Sequence, residues 1–111
     1  MASGDRAEAR LCAPTQLGTT TTTLFTVTAG HTFVCKQIII ANTDTIDRTV
    51  TLAIGTAATA ANHIMSALPI GANDVMVWDT ALVLLTTETL EGLSDTASKV
   101  NVTVVGWDKT N

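Results

Sequence analysis

The chain offers two cysteines, two histidines and ten carboxylates from which a reactive centre could be built. A structural zinc site would draw on Cys12, Cys35, His31 and His63. None of them stands in a C-x-x-C or H-x-x-x-H spacing, the short pairs that usually supply zinc ligands. Acid–base catalysis needs two carboxylates brought together in a cleft. Asp44, Asp47, Asp74, Asp79, Glu88, Glu91 and Asp95 instead fall in or beside turn signals, where carboxylates cap and close Asx turns. A D-x-D-x-D-G calcium loop, a G-x-S-x-G nucleophile elbow and a glycine-rich phosphate loop are all missing from the sequence. The N-V-T sequon at Asn101–Thr103 falls within a strand pattern and reads as accidental. Trp78 and Trp107 remain as possible sugar-stacking platforms, with Asp79 and Asp108 beside them. With no tyrosine in the chain, the simpler role for both indoles is packing at a core edge or a subunit interface. These residues point to no catalytic group, no metal and no cofactor, and away from an enzyme.

What positions these residues is set by composition. Thr occurs 22 times, and apolar residues make up 46% of the 111-residue chain. Such a β-branched composition favours strands, and the length fits one domain. Charged residues are only 14%, against about 25% in an ordinary domain, so the surface is one suited to being covered. The net charge is −4 and the six basic residues are scattered, which argues against a phosphate-neutralising patch and hence against nucleic acid. No apolar run approaches the ~20 residues of a membrane-spanning helix. The opening "MASGDRAEARLCAP" resembles neither a signal peptide nor an anchor; the expectation is a soluble protein made in a cytoplasm, with Cys12 and Cys35 as free thiols.

The elements follow from alternation and turn chemistry. Residues 1–17 contain Pro14 and lack strand alternation, so they are expected to form an extended N-terminal arm, ordered only where something holds it; residues 18–111 form the folded domain. The five threonines 19–23 lead into "LFTVT", a strand whose threonines line its surface. "TAGH" turns it, through Gly30, into a hairpin with a long strand from Thr32 to about Asn42. Strict alternation would place Phe33, Cys35, Gln37 and Ile39 on one face and Val34, Lys36, Ile38 and Ile40 on the other. In "RTVTLAIG", Val50, Leu52 and Ile54 face inward, and Thr49, Thr51 and Ala53 outward. The alanine-rich middle holds at most one helical turn before a short strand near Ile64–Leu68. Strands follow at "VMVWD", at Leu82–Leu85, at Leu90–Ser94 and at Val100–Val105. Seven or eight short strands with close turn signals and no convincing helix predict an all-β, antiparallel β-sandwich of jelly-roll type.

The order "VTAGHTFVCKQIIIAN", "RTVTLAIG", "LEGLSDTASKVNVTVVGW" resembles small accessory β-sandwich proteins of tailed bacteriophage virions. In these, a T-V-P/T-A-G turn leads into a strand ending I-x-x-x-N-T, then a V-T-L-x-I-G strand. A late L-x-x-G-D-x-L-x-A/G-x-S-D segment precedes a closing V-x-V-T-V-x-G-x-E strand. The match covers about residues 24–107, through Thr28–Gly30, Ile40–Thr43, Val50–Gly55, Leu90–Asp95 and Val100–Gly106. It departs at "TTETLEGLSD", where Glu88 stands for the usual Gly-Asp turn, and at Trp107-Asp108, which replaces the acidic ending. The resemblance implies a structural subunit located in the virion: a capsid decoration or cement protein, or alternatively a tail or tail-tip subunit. Its partners would be the major capsid protein or tail proteins and further copies of itself, with a trimer favoured, and no nucleic acid or membrane. The residues expected at the assembly interface are Arg6, Arg10, Leu11, Pro14, Trp78 and Trp107. A carbohydrate- or receptor-binding module on a fibre is the alternative of a different class.

Overall fold

A computed structural model describes residues 6–111, Arg6 by its backbone only. Its eight strands are β1 (Arg6–Gln16), β2 (Thr22–Thr26), β3 (His31–Asn42), β4 (Arg48–Ile54), β5 (His63–Ile70), β6 (Val75–Leu84), β7 (Thr89–Ser94) and β8 (Val100–Thr110). They form two four-stranded sheets, ordered β1-β8-β3-β6 and β2-β7-β4-β5, and every pairing is antiparallel. Only β4 and β5 are consecutive strands paired with each other; the other connections cross between sheets. Two interleaved sheets of this order are a jelly roll, as the strand pattern predicts. A single 3₁₀ turn, Ala60–Asn62, precedes β5.

Three local expectations are corrected. First, β2 and β3 are not a hairpin. The Gly30 turn, with φ 81° and the His31 N–H on Thr28 O at 3.0 Å, carries the chain from one sheet to the other. The threonine-lined strand itself forms as expected, paired with β7. Second, β3 does not keep strict alternation. Cys35 lies opposite Gly106 and Gln37 opposite Val105 on β8, so Lys36 is an extra residue in a bulge. The bulge reverses the parity beyond it: Cys35, Ile38 and Ile40 are all fully buried, while Gln37 and Ile39 turn outward. Third, Thr51 and Ala53 of β4 are buried, at 7% and 0% exposure. β5 bulges at Ala67, where φ is 48°, and the Ala67 N–H donates to Thr51 Oγ1 at 3.0 Å.

The expected strands at "VMVWD" and Leu82–Leu85 are one strand, β6. The segment expected as an arm is, over Arg6–Gln16, strand β1, held along its length by β8. Two register irregularities, between Arg10 and Cys12 and between Cys12 and Thr15, hide its alternation. Cys12 and Leu17 both reach the core. Residues 1–5 and the Arg6 side chain lie outside the described residues.

The core is the shared interior of the sheets, led by Ile38, Ile40, Leu52, Leu84, Leu90 and the inward valines 100, 102 and 104 of β8. Asn42 is buried among them at 2% exposure. Its Nδ2 donates to the carbonyls of Ile46 (3.0 Å), Ile70 (3.0 Å) and Gly71 (3.2 Å), and its Oδ1 accepts the Asp44 N–H (2.9 Å). One side chain thus ties together the β3–β4 and β5–β6 loops, two of those at that end of the sandwich, satisfying groups that would be costly to bury unpaired.

Candidate assembly surface

The chemistry-bearing residues do not converge. Among the described residues no three His, Cys, Asp or Glu side chains lie close enough to hold a metal ion. His31 Nδ1 is 2.6 Å from Asp108 Oδ1, pairing the start of β3 with the end of β8. His63 ties the loop ahead of the 3₁₀ turn to β5: Nε2 lies 2.8 Å from Ala57 O and Nδ1 3.1 Å from Ser66 Oγ. A carbonyl can only accept, so Nε2 donates to Ala57. Cys12 and Cys35 are free, buried thiols. Burial pushes the Cys35 thiol up to about 12, which keeps it protonated and inert. Asp44 is held below the usual carboxylate range, first by its hydrogen bond from Arg48, whose Nε is 2.8 Å away.

The residues expected at an interface divide among different places. Trp107 lies on the outer face of the β1-β8-β3-β6 sheet, half-buried, with Lys36 Nζ 5.3 Å from its ring centroid. The β3 bulge turns Lys36 outward, toward that ring. Arg10 and Glu8 of β1 join Trp107 in lining a shallow, open groove of about 440 Å³. Arg10 and Trp107 are therefore brought together. Pro14 is exposed farther along β1, and Leu11 packs against the core; Arg6 Cα pairs with Lys109 at the strand's other end. Trp78 belongs elsewhere: it faces inward from β6 and lines, with Met76, Ile64 and Leu68, an apolar groove of about 310 Å³ between β6 and β5. Asp79, its neighbour in sequence, points to the opposite face and accepts a hydrogen bond from Gln37 Nε2 at 3.0 Å. Asp108 is likewise engaged by His31 rather than turned to Trp107's groove.

A further group of exposed apolar residues is one that sequence reasoning passed over. Val75, Val77 and Val83 on the outer face of β6 are 54%, 49% and 49% exposed, and Leu85 just after the strand is 57% exposed. The register shows how they extend across the sheet. One row runs Glu8, Trp107, Val34, Val83; another runs Gln16, Asn101, Ala41, Val75. Along these two rows the outer face passes from charged and polar at β1 to apolar at β6, while a third, Arg10, Val105, Gln37, Asp79, ends on a carboxylate. The signal for this was present in "VMVWDTALVL": a strand apolar at both odd and even positions is either central in a sheet or covered by something else. β6 is at the edge.

No family model matches the chain, and no curated protein matches it. Among solved structures, a chain from the infectious bursal disease virus Gx strain is similar, with a TM-score of 0.47 and 13% identity over 96% of this chain and 32% of that one. A chain from the Gt strain gives 0.43 and 13%, over 95% and 32%. This chain spans about a third of the length of those it resembles. Likeness at this level transfers neither function nor residue roles.

Proposed function

We propose that this protein is a non-enzymatic virion structural subunit, a capsid decoration or cement protein that binds the assembled particle and stabilises it. The observation that carries the reading is the outer face of the β1-β8-β3-β6 sheet, with exposed valines on an edge strand that no other strand among the described residues covers. A stable monomer exposes such a surface at a cost in solubility, whereas a subunit buries it on assembly. Jelly rolls serve in viral capsids and in lectins, and the sequence resemblance to accessory proteins of tailed bacteriophages favours the former. Binding at many sites on a shell stabilises the assembled form by mass action. A place on the tail or tail tip is the alternative within this class.

The test is to purify particles from the source of the sequence and measure this chain's copy number by mass spectrometry. A stoichiometric, symmetric copy number supports the reading, and immunogold labelling then assigns head or tail. Absence from purified particles overturns it. The carbohydrate- or receptor-binding reading retains one supporting observation, the open groove beside Trp107 with Glu8 and Arg10. Glycan-array binding abolished by Trp107→Ala in a folded protein would favour it.

A further inference from the structure

Four strands end the two sheets: β1 and β6 in one, β2 and β5 in the other. An exposed edge is a template for pairing with another chain, and monomers blunt it with charge, proline, bulges or brevity. β1 carries Arg6, Glu8, Arg10 and Pro14 and two register irregularities. β5 carries Pro69 and the Ala67 bulge, and β2 is only 5 residues long. β6 relies on these devices least: its pairing with β3 has one register irregularity, between Leu82 and Asp79. It is 10 residues long, contains no proline and has a single charge, Asp79.

Its exposed apolar residues are also symmetric. Val75 and Leu85 stand equally far from Thr80, as do Val77 and Val83, and Asp79 mirrors Ala81. We propose that β6 pairs antiparallel with β6 of a second copy about a two-fold axis through Thr80, joining the two sheets edge to edge. In this register Val77 of one copy faces Val83 of the other and Val75 faces Leu85, so apolar pairs flank a central Asp79–Ala81 pair on each side of the axis on the joint outer face. Asp79 faces Ala81 rather than its own copy, which avoids a direct like-charge pair. On the inner side Trp78 faces Leu82 of the second copy. The junction forms about ten main-chain hydrogen bonds and is isologous, closing at two copies. It deepens the structural-subunit reading by naming the self-contact, and its place in the particle rests on that reading.

The experiment is sedimentation equilibrium on the full chain, with cysteine cross-linking in Val77→Cys/Val83→Cys. The expected result is a dimer of 11.6 kDa chains, cross-linked by mild oxidation in the double variant but in neither single one. Residue 77 lies about 20 Å from its own copy in this register. Val77→Lys/Val83→Lys, at exposed positions that leave the core intact, should weaken the dimer about 100-fold. Ile46→Lys, at an exposed apolar residue outside β6, should leave it unchanged, with circular dichroism confirming that both variants fold. A monomer at every concentration, a trimer as the smallest species, or efficient cross-linking of Val77→Cys alone would overturn the β6 contact. Particle content separates the two claims. A monomer found in particles overturns the contact alone; a cross-linked dimer absent from particles overturns the virion reading alone.

Discussion

The two edges of one sheet, β1 and β6, are built on opposite rules. β1 ends the sheet with several charged residues, a proline and two register irregularities, whereas β6 ends it with outward valines, one charge and one register irregularity. Both lean on the same central pair, β8 and β3, so a difference in backbone support does not account for the contrast. It lies in what each edge presents: β1 to water, β6 to another apolar surface. In a chain with so little charge, placing charge on one edge and withholding it from the other is what gives a sheet a preferred direction of growth.

The comparison breaks most completely if the central seam is lost. A Cβ on Gly106 would stand 1.9 Å from the Val34 carbonyl oxygen and 3.0 Å from the Lys36 nitrogen. The β3 bulge brings its backbone down onto β8 there, and backbone cannot swing aside as a side chain can. Gly106→Ala should cost at least about 4 kcal/mol, a large share of the roughly 5–15 kcal/mol that holds a domain folded. Urea denaturation followed by circular dichroism would measure this. A variant of near wild-type stability would mean that the β3 bulge is not where the structure places it.

Asn42→Ala should separate the two edges rather than remove both. Its amide holds the carbonyls of Ile70 and Gly71 and the Asp44 N–H, and its backbone N–H binds Asp74 O at 2.9 Å, directly before β6. The truncation leaves buried groups unpaired and opens a small void, at about 2–3 kcal/mol. Hydrogen exchange should accelerate in residues 43–47 and 70–76, and remain slow in β1. Uniform acceleration across both edges would show that Asn42 supports the whole sandwich rather than the approach to β6.

The same seam can be probed by alkali. Cys35 is buried beside the bulge with its thiol pushed up to about 12, whereas in the unfolded chain it ionises near 9. A folded-state value above the unfolded one stabilises fully below about pH 9. That contribution declines as pH rises from there toward 12, because only the unfolded chain can release the proton. The urea midpoint should fall over this range, and Cys35→Ala should flatten the fall while lowering stability at neutral pH. An unchanged slope in the variant would assign the alkaline loss to other groups.

How much of this was legible in the sequence depends on where alternation survived. In β8, Val100, Val102 and Val104 alternate without interruption, and the inward face follows from spacing alone. In β3 the single extra residue at Lys36 reverses the face of Ile38 and Ile40, and no local propensity marks a bulge that exists because Gly106 admits it from another strand. β1 was obscured twice over by its irregular register and its alanines, since Ala7, Ala9 and Ala13 suit either face. The exposed row on β6 was visible as letters, but identifying it as an edge required the sheet order. That order joins strands far apart in sequence, such as β3 to β8, and local pattern does not encode it. Trp78 and Trp107 were singled out together by residue type, yet they belong to grooves on opposite sides of the fold.

The smallest effect lies just past the β6 edge, in the turn from Leu85 to Glu88. Thr87 has φ 65°, a left-handed conformation that a β-branched residue adopts only under strain. The turn holds it there: its N–H donates to Val27 O at 3.1 Å, the Glu88 N–H donates to Leu85 O at 3.1 Å, and Glu88 Oε1 accepts the Leu85 N–H at 2.6 Å. Thr87→Gly should relieve the strain, less the entropy that glycine adds to the unfolded chain, for a net gain of about 1 kcal/mol. Thermal unfolding would register the gain as a rise in Tm. Because Leu85 closes one end of the proposed β6 ladder, the relaxed turn should leave the sedimentation equilibrium of the dimer unchanged. A stabilised monomer that no longer associates would instead show that the strained threonine holds Leu85 in place for its partner, and that the contrast between the two edges extends into the turn.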